Sequence, residues 1–481
     1  MNILLINPPL VGIKNDIYGS IPFIPAGITY IASYLQSKGH KVDIADLYGE
    51  DPQAIHTFNG KYLIHGLNPE VLKHDFTLRK YDVVGISIHS VAGHSIGKRI
   101  IDIIKVEVPS LPVMVGGSHP TVAYKEFLDT GADFVILGEG EETTLDVLNV
   151  IQGRKRIEEL DGIAYKGDVI PKSKFIDNLD ELPFPAVDLI KLENYWNLFY
   201  SHGPVNGKYL FIISSRGCPY NCSFCTTPNI WQRNWRYRSA KNVVDEIEAR
   251  VKRYNVTDFH FQDDGFATNK KRVLEICKEL INRKLNIRWK LPAGVKAETL
   301  DEETLLWMKK SGFDYISVSP ETGSRRVAKL MNKPVDYSHF ETVLKTCIKN
   351  NITTQACFIL GFPGEDEVDI RETRDLIKLY ARLGVDEIAI YIMTPLPGAS
   401  VFKAFNYKED YESLSFSPVW RIDYGQLSFI RKKLYFTYFF YKIIFHPFKI
   451  IRHVKNVFSG RFETKMEMTL YRIFKVYMNR F

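Results

Sequence analysis

Ser215-Arg216-Gly217-Cys218-Pro219-Tyr220-Asn221-Cys222-Ser223-Phe224-Cys225 packs three cysteines into eight residues at the spacing C-x3-C-x2-C. The chain of 481 residues has only six cysteines, and none precedes Cys218. That is too sparse for a disulfide scaffold and speaks for a metal in a reducing compartment. Three thiolates on one short loop can ligate three irons of a 4Fe–4S cluster, leaving the fourth iron open for substrate chemistry. A structural zinc normally takes four ligands, and no fourth Cys or His lies nearby. Cys277 and Cys347 fall in helical patterns and Cys357 in an apolar strand, where buried structural thiols are expected.

The loop follows an apolar run at 208–214 that opens a series of strands near 257–262, 286–291, 314–319, 353–359 and 386–392. Helical patterns centred on 248, 277, 306, 344 and 376 separate them. Six strands with intervening helices predict a partial (β/α)6 barrel over 208–402, with its chemistry at the strand C-termini. Upstream, apolar runs at 2–6, 42–47, 83–88, 113–115 and 134–137 alternate with helical patterns, one of which carries Ile28, Ile31, Ala32 and Leu35 on a single face. This predicts an α/β doubly wound parallel sheet over 1–155. Residues 156–207, with a hairpin at 161–171 and the proline breaks of LPFPAVDLI, read as a connector. No repeat or low-complexity tract interrupts the pattern.

The cysteine loop, with Phe224 before its last cysteine, resembles the signature of the radical SAM superfamily, and the likeness extends across the barrel. The resemblance implies that Cys218, Cys222 and Cys225 hold a 4Fe–4S cluster whose open iron chelates S-adenosylmethionine. Reductive cleavage then yields a 5′-deoxyadenosyl radical, with the electron coming from a donor such as flavodoxin or ferredoxin. Turns in the family's order follow the later strands. Asp263 and Asp264 are placed near the methionyl amine, and Ser319 and Glu321 near ribose or amine. Gly361, Pro363 and Gly364 resemble the adenine-binding turn, and Thr394 and Pro395 end the sixth strand. Each turn alone is an ordinary strand-to-helix connection, but a parallel barrel gathers strand ends on one face.

The first domain lacks the G-x-G-x-x-G of a dinucleotide fold. It resembles the cobalamin-binding domain that precedes the barrel in one radical SAM class. Asn7, Pro8, Pro9, Ser87, Gly116, Gly117, His119, Gly138, Glu139 and Gly140 carry that resemblance as cobalamin contacts. A flat corrin must approach the backbone at a strand end, which suits Gly116 and Gly117. The D-x-H-x-x-G motif that supplies an axial histidine in methionine-synthase-like domains is absent, and a lone His89 or His119 is more often a scaffold residue. The resemblance therefore implies cobalamin bound without a protein histidine ligand. The absence of early cysteines separates the chain from tRNA methylthiotransferases, which carry a second cluster in their N-terminal domain.

Formal charge is +7, from 63 Lys+Arg against 56 Asp+Glu. Residues 427–481 hold 12 Lys+Arg and two acids, a local +10, leaving −3 for the rest. This tail, the end of a helical basic segment over 403–481, also carries 15 Phe and Tyr. Two helical faces emerge: Ile444, Phe448, Ile451 and Phe458, then Leu470, Ile473, Phe474, Tyr477 and Phe481, with Lys449, Arg452, Lys455, Arg472, Lys475 and Arg480 off those faces. Two readings stand: helices docked on the acidic body with lysines outward, or a membrane-surface element that would favour a lipid-like substrate. The stretch Trp231–Arg238 interleaves aromatics and arginines, yet its place beside the cysteine loop favours an active-site wall over nucleic acid.

MNILLINPPL shows neither a basic n-region nor a cleavage site, and no apolar run reaches the ~20 residues of a membrane span. A cytoplasmic enzyme, with the tail able to place it at the inner membrane surface, is expected. Its reaction would be cobalamin-dependent methyl transfer to an unactivated carbon of a small-molecule or lipid-like substrate. The alternatives are an oxidative cyclase or carbon–carbon bond former on a tetrapyrrole or lipid, and a non-catalytic cluster-containing sensor.

Overall fold

The computed structural model describes residues 1–14 and 21–478, with side chains to 475. It forms two compact units: Met1–Tyr195 with Thr226–Arg233 and Pro395–Ser415, and Trp196–Cys225 with Asn234–Thr394 and Phe416–Phe481.

The first unit is built on a seven-stranded sheet. Asn2–Asn7 pairs in parallel with Lys41–Asp46 on one side and Val83–Ser87 on the other, and Val113–Gly116 and Phe134–Ile136 continue the parallel series. The spatial order of these five strands is 2-1-3-4-5, which puts a topological switch point between the first strand and Val83–Ser87. Successive side chains of a strand point to opposite faces. Ile3 and Leu5 accordingly join Ile28, Ala32, Leu35, Val147 and Leu148 in one core, and Leu4 and Ile6 join Ile100, Ile104 and Phe127 in the other. Helices thus cover both faces, as the near-continuous apolar strands require.

The connector differs from expectation. Its hairpin, Ile163–Tyr165 and Asp168–Ile170, adds antiparallel to Phe134–Ile136, so the sheet runs past residue 155. Ile163 and Ala164 are fully buried, and that burial recruits the segment. The chain also folds a three-stranded antiparallel sheet from Leu10–Ile13, Ile55–Phe58 and Tyr62–His65. Its hairpin turns through Asn59 and Gly60, both at positive φ.

The second unit has six strands: Tyr209–Ile212, Asp258–Phe261, Arg288–Val295, Phe313–Glu321, Thr353–Leu360 and Glu387–Ile392. They pair in parallel and in chain order, with helices between successive strands, as a partial (β/α)6 barrel should. Side-chain caps fix where these helices start. Ser239, Asp301 and Asp336 each accept a backbone N–H of the first turn, and Asp366 forms a capping box with Asp369.

Three helices close the chain: Tyr424–Phe445, Pro447–Ser459 and Lys465–Met478. The expected face from Ile444 to Phe458 is broken at Pro447, which starts a new helix at its first position. The expectation of lysines outward holds for Lys455 and Lys475, which are exposed, and fails for Lys442 and Lys449. Lys442 is fully buried and donates to the carbonyls of Val385 and Asp386, the latter at 2.6 Å. Lys449 Nζ donates to the Gly384 carbonyl (2.7 Å) and to Asp386 Oδ1 (2.8 Å). Asp386 Oδ2 accepts the Thr354 N–H and hydroxyl. Burial would raise the Asp386 carboxyl, and Lys442 and Lys449 more than offset it, leaving it below its ordinary range. A buried aspartate needs cations, so the tail turns Lys442 and Lys449 inward. The Tyr477 side chain, Arg480 and Phe481 lie outside the described residues. Among those residues, no helix is long and apolar enough to cross a membrane.

Burial lowers the Lys442 ammonium from 10.5 to about 7. Between those values the unfolded chain binds a proton that the folded chain does not, so stability rises with pH there, by up to about 1.4 kcal/mol per pH unit. Urea titrations at successive pH values between neutrality and the ordinary lysine range should show this slope. Lys442→Met should flatten it.

Candidate functional site

The cysteine loop leaves the first barrel strand under control of a buried carboxylate. Asp263, just beyond the second strand, accepts the Ser214 N–H at Oδ1 (2.8 Å) and the hydroxyls of Ser214 and Ser215 at Oδ2 (both 2.6 Å). Arg272, itself buried, donates to the Ser214 carbonyl (2.7 Å) and hydroxyl and to the carbonyls of Phe266 and Arg238. Burial pushes the Asp263 carboxyl up, with Arg272 and the serines opposing. The base of the loop is therefore fixed before any metal binds. Residues 215–216 also pair with 236–237, and Trp235 Nε1 donates to the Gly265 carbonyl (2.9 Å). Arg238 is buried in an ion pair with Glu246 (2.5 Å). The aromatic-basic stretch is thus spent inside the unit at these positions.

The far side of the loop is held by the segment after Arg325–Leu330. The Ser223 N–H donates to the Met331 carbonyl (2.9 Å) and Asn332 Nδ2 to the Asn221 carbonyl (2.7 Å). Burial raises the Cys218 thiol to about 11 and raises Cys222; Cys225 adds to both shifts and Cys222 to that of Cys218. Three thiols close enough to influence one another on one loop fit a multi-iron cluster.

The predicted S-adenosylmethionine residues divide. Asp263 is not open to a ligand, because its two oxygens are engaged with Ser214 and Ser215. Asp264 is exposed and near enough to Cys218 to raise its thiol. Ser319 is buried against Gly294, where an added Cβ would lie 2.1 Å from its Oγ. Glu321 is buried, sits at φ +64, and pairs with Lys333 (2.6 Å). Lys333 in turn faces Cys222 electrostatically and lies 6.0 Å from the Phe224 ring. Lys296 likewise faces Cys222 and sits 3.9 Å from the Tyr220 ring. Sequence reasoning missed both lysines, since nothing local marks two among 63 Lys+Arg.

Gly361 (φ +78) donates its N–H to Glu365 Oε2 (2.5 Å), and Gly364 (φ +86) offers its carbonyl to Arg326. Pro363 lies between them, half-buried. Glu365 Oε1 is buried and has no partner, and burial lifts this carboxyl to about 7. An orphaned buried oxygen beside a glycine turn suits a donor on a ligand. Thr394 is half-buried at the end of the sixth strand, and Pro395 begins a segment of the first unit.

In the first unit, Asn7, Ser87, Gly116 and Gly138–Gly140 stand at or just past the C-terminal ends of the parallel strands, with Asn7 and Ser87 flanking the switch point. Pro8 and Pro9 are buried directly after Asn7. Asn7 Nδ2 donates to buried Asp46 (2.7 Å), which also accepts from Tyr195 (2.8 Å). Glu139 accepts the Ile176 N–H (2.8 Å) and so ties down the connector. Gly117 (φ +116) has an internal reason: a Cβ would meet the Ile88 carbonyl at 2.4 Å. His119 is not available as a contact. Its Nε2 lies 2.9 Å from His94 Nδ1 in a buried cluster with Phe127 and Tyr411. Burial lowers His119 to about 3 and His94 to about 4, so both rings are neutral.

Two family models match: the Radical SAM superfamily over residues 212–377 and the B12 binding domain over residues 21–148. The chain is 28% identical over 437 residues to an anaerobic magnesium-protoporphyrin IX monomethyl ester cyclase of Rubrivivax gelatinosus, covering 88% of this chain and 74% of that protein. It is 26% identical over 436 residues to the cytidylyl-2-hydroxyethylphosphonate methyltransferase of Streptomyces wedmorensis, covering 83% and 81%. The solved radical S-adenosylmethionine methyltransferase TsrM of Kitasatospora setae shares the fold, with a TM-score of 0.67 at 16% identity over 84% of this chain and 75% of that one. The chain is a radical SAM enzyme with a B12-binding domain ahead of its radical SAM domain. Its cofactors are a 4Fe–4S cluster, S-adenosylmethionine and cobalamin.

The two adjacent aspartates should separate cleanly. Asp263→Ala leaves Ser214 and Ser215 without their acceptor and buried Arg272 without its counter-ion at 3.9 Å, a loss of about 3–5 kcal/mol at a buried pair, and reconstituted protein should retain markedly less iron. Asp264→Ala should hold a full complement of iron, because its side chain is exposed. Iron and sulfide assays after gel filtration check both.

Proposed function

We propose that this enzyme is a cobalamin-dependent methyltransferase acting on an unactivated carbon of a small molecule. The observation that carries the reading is the joining of a B12-binding domain to a radical SAM domain in one chain. The likeness to the S. wedmorensis methyltransferase across 83% of the chain supports it. When bound, the cluster and S-adenosylmethionine supply a 5′-deoxyadenosyl radical, and cobalamin supplies the methyl group.

The chain's own part is to bind, orient and exclude water. Cys218, Cys222 and Cys225 hold the cluster, on a loop whose base Asp263 positions. For S-adenosylmethionine we assign Phe224 and Asp264 beside the loop, and Ser319 with the Glu321–Lys333 pair at the fourth strand end. Gly361, Pro363, Gly364 and Glu365 serve at the fifth, and Thr394 and Pro395 at the sixth. Glu365 Oε1 is the natural acceptor for a ligand N–H, because it is buried without a partner. For cobalamin we assign Asn7, Pro8, Pro9, Ser87, Gly116, Gly117, Gly138, Glu139 and Gly140, acting through shape and backbone. His119 drops out of that set, and no histidine needs to ligate cobalt. A reduced flavodoxin or ferredoxin in the cytoplasm supplies the electron.

A second reading is favoured by the R. gelatinosus cyclase, which matches 88% of this chain. It is an oxidative ring closure on a tetrapyrrole, using the same cluster and the same radical.

Anaerobically reconstituted protein given S-adenosylmethionine and a strong reductant should release 5′-deoxyadenosine, and Cys222→Ala should reduce this to background. An intact cluster with no 5′-deoxyadenosine would remove both readings. After incubation with hydroxocobalamin and gel filtration, the protein should keep a cobalamin absorption spectrum; a colourless protein would displace methyl transfer from first place.

A further inference from the structure

The three C-terminal helices bury their anchoring cations, with Leu427, Leu434, Tyr438 and Met468, and leave many other apolar side chains in water. Phe448 is 84% exposed, Phe436 73% and Phe458 71%. Phe448, Ile451, Val454 and Phe458 recur at three- and four-residue spacing, so one whole face of Pro447–Ser459 is apolar and uncovered. On the first helix, Phe429, Phe436, Phe440 and Ile444 form a second exposed stripe. Leu470 and Phe474 on the third continue the surface, with the Phe474 ring 6.0 Å from Phe458. An apolar surface of this extent is unusual on a monomer and marks an interaction site.

The charge around it selects the partner. Lys432, Lys433, Lys455, Arg461, Arg472 and Lys475 are all exposed around these faces. Glu467 is buried capping the last helix, and Glu463 is half-buried and paired with Arg452. Two copies meeting through this surface would oppose cation to cation, which disfavours self-association. Aromatic and aliphatic residues inside a basic rim are what inserts among the headgroups of an anionic leaflet.

We propose that the tail helices bind an anionic phospholipid surface through the face carrying Phe436, Phe440, Phe448, Ile451, Val454 and Phe458, and so hold the enzyme at the membrane. This does not rest on the methyl-transfer reading.

The test is flotation of the full chain with vesicles of phosphatidylcholine containing roughly a third phosphatidylglycerol, against vesicles of phosphatidylcholine alone. The protein should float with the anionic vesicles at least about tenfold better, and salt should weaken that binding. Phe448→Ser/Ile451→Ser/Phe458→Ser should lose about tenfold or more, with the circular dichroism melt unchanged. Lys432→Glu/Lys455→Glu, a change at two exposed lysines, should lose the preference for phosphatidylglycerol. Equal flotation with both vesicles overturns the proposal, as does a triple variant that floats like the parent. A parent dimer that the triple variant converts to monomer would show instead that a second copy covers the face. Release of 5′-deoxyadenosine, measured without lipid, reports separately on the radical chemistry.

Discussion

The carboxylate of Asp263 is the constraint on which the rest of the reactive face depends. Without it, a loop of three cysteines leaving the first strand would be free to choose its exit, since the loop residues themselves have little apolar surface to bury. With it, Ser214 and Ser215 are pinned by three hydrogen bonds, and Arg272 pins the Ser214 carbonyl from the other side. The pair is buried, so its value is less in net stability than in the cost of breaking it. A cluster needs its thiolates at set positions before the metal arrives, and these bonds provide that preorganisation from protein alone.

Glu321 shows the same face from another side. A non-glycine residue at φ +64, buried at a strand end, stores roughly 1–3 kcal/mol of backbone strain. Such strain persists only where the surroundings over-determine it. Here Lys333 holds the carboxylate, and the neighbouring Thr322 and Gly323 are tied to Thr373. The ion pair reaches back to the cysteine loop, because Lys333 faces Cys222 and its neighbours Met331 and Asn332 bond the loop backbone. The fourth strand end and the cysteine loop are therefore one mechanical element.

The strand–helix alternation and the C-x3-C-x2-C spacing were legible because each is a local pattern with one physical meaning. The Asn59-Gly60 hairpin was equally legible and lay between short strands that the alternation of longer elements hid. Asp263 and Asp264 were not separable, since adjacent identical residues differ only in which one the turn points inward. Lys333 carries no local mark, for its partner lies twelve residues away on another element. The tail's anchoring was not legible for a deeper reason. Helical periodicity identifies an apolar face but not what it meets, and the deciding partner, Asp386, lies just before the sixth barrel strand. Periodicity left docking and a membrane surface both open, and a buried carboxylate overrides the outward placing of Lys449.

That override has a geometric consequence. In a parallel sheet all strands start on one rim and end on the other. Asp386 precedes the sixth strand, so Lys442 and Lys449 anchor the tail at the starting rim. The cysteine loop, Glu321 and Gly361 lie at the ending rim. The helix Tyr424–Phe445 connects them: Leu427 packs against Gly361 near its start, and Lys442 reaches Val385 near its end. At ~1.5 Å per residue its 22 residues span roughly 33 Å. The exposed helix Pro447–Ser459 therefore belongs to the rim away from the cysteines. A membrane bound there would hold the enzyme in place without meeting the reactive face, so a basic aromatic tail does not by itself make the substrate a lipid. Asp386 anchors the tail at one rim and Asp263 the cysteine loop at the other.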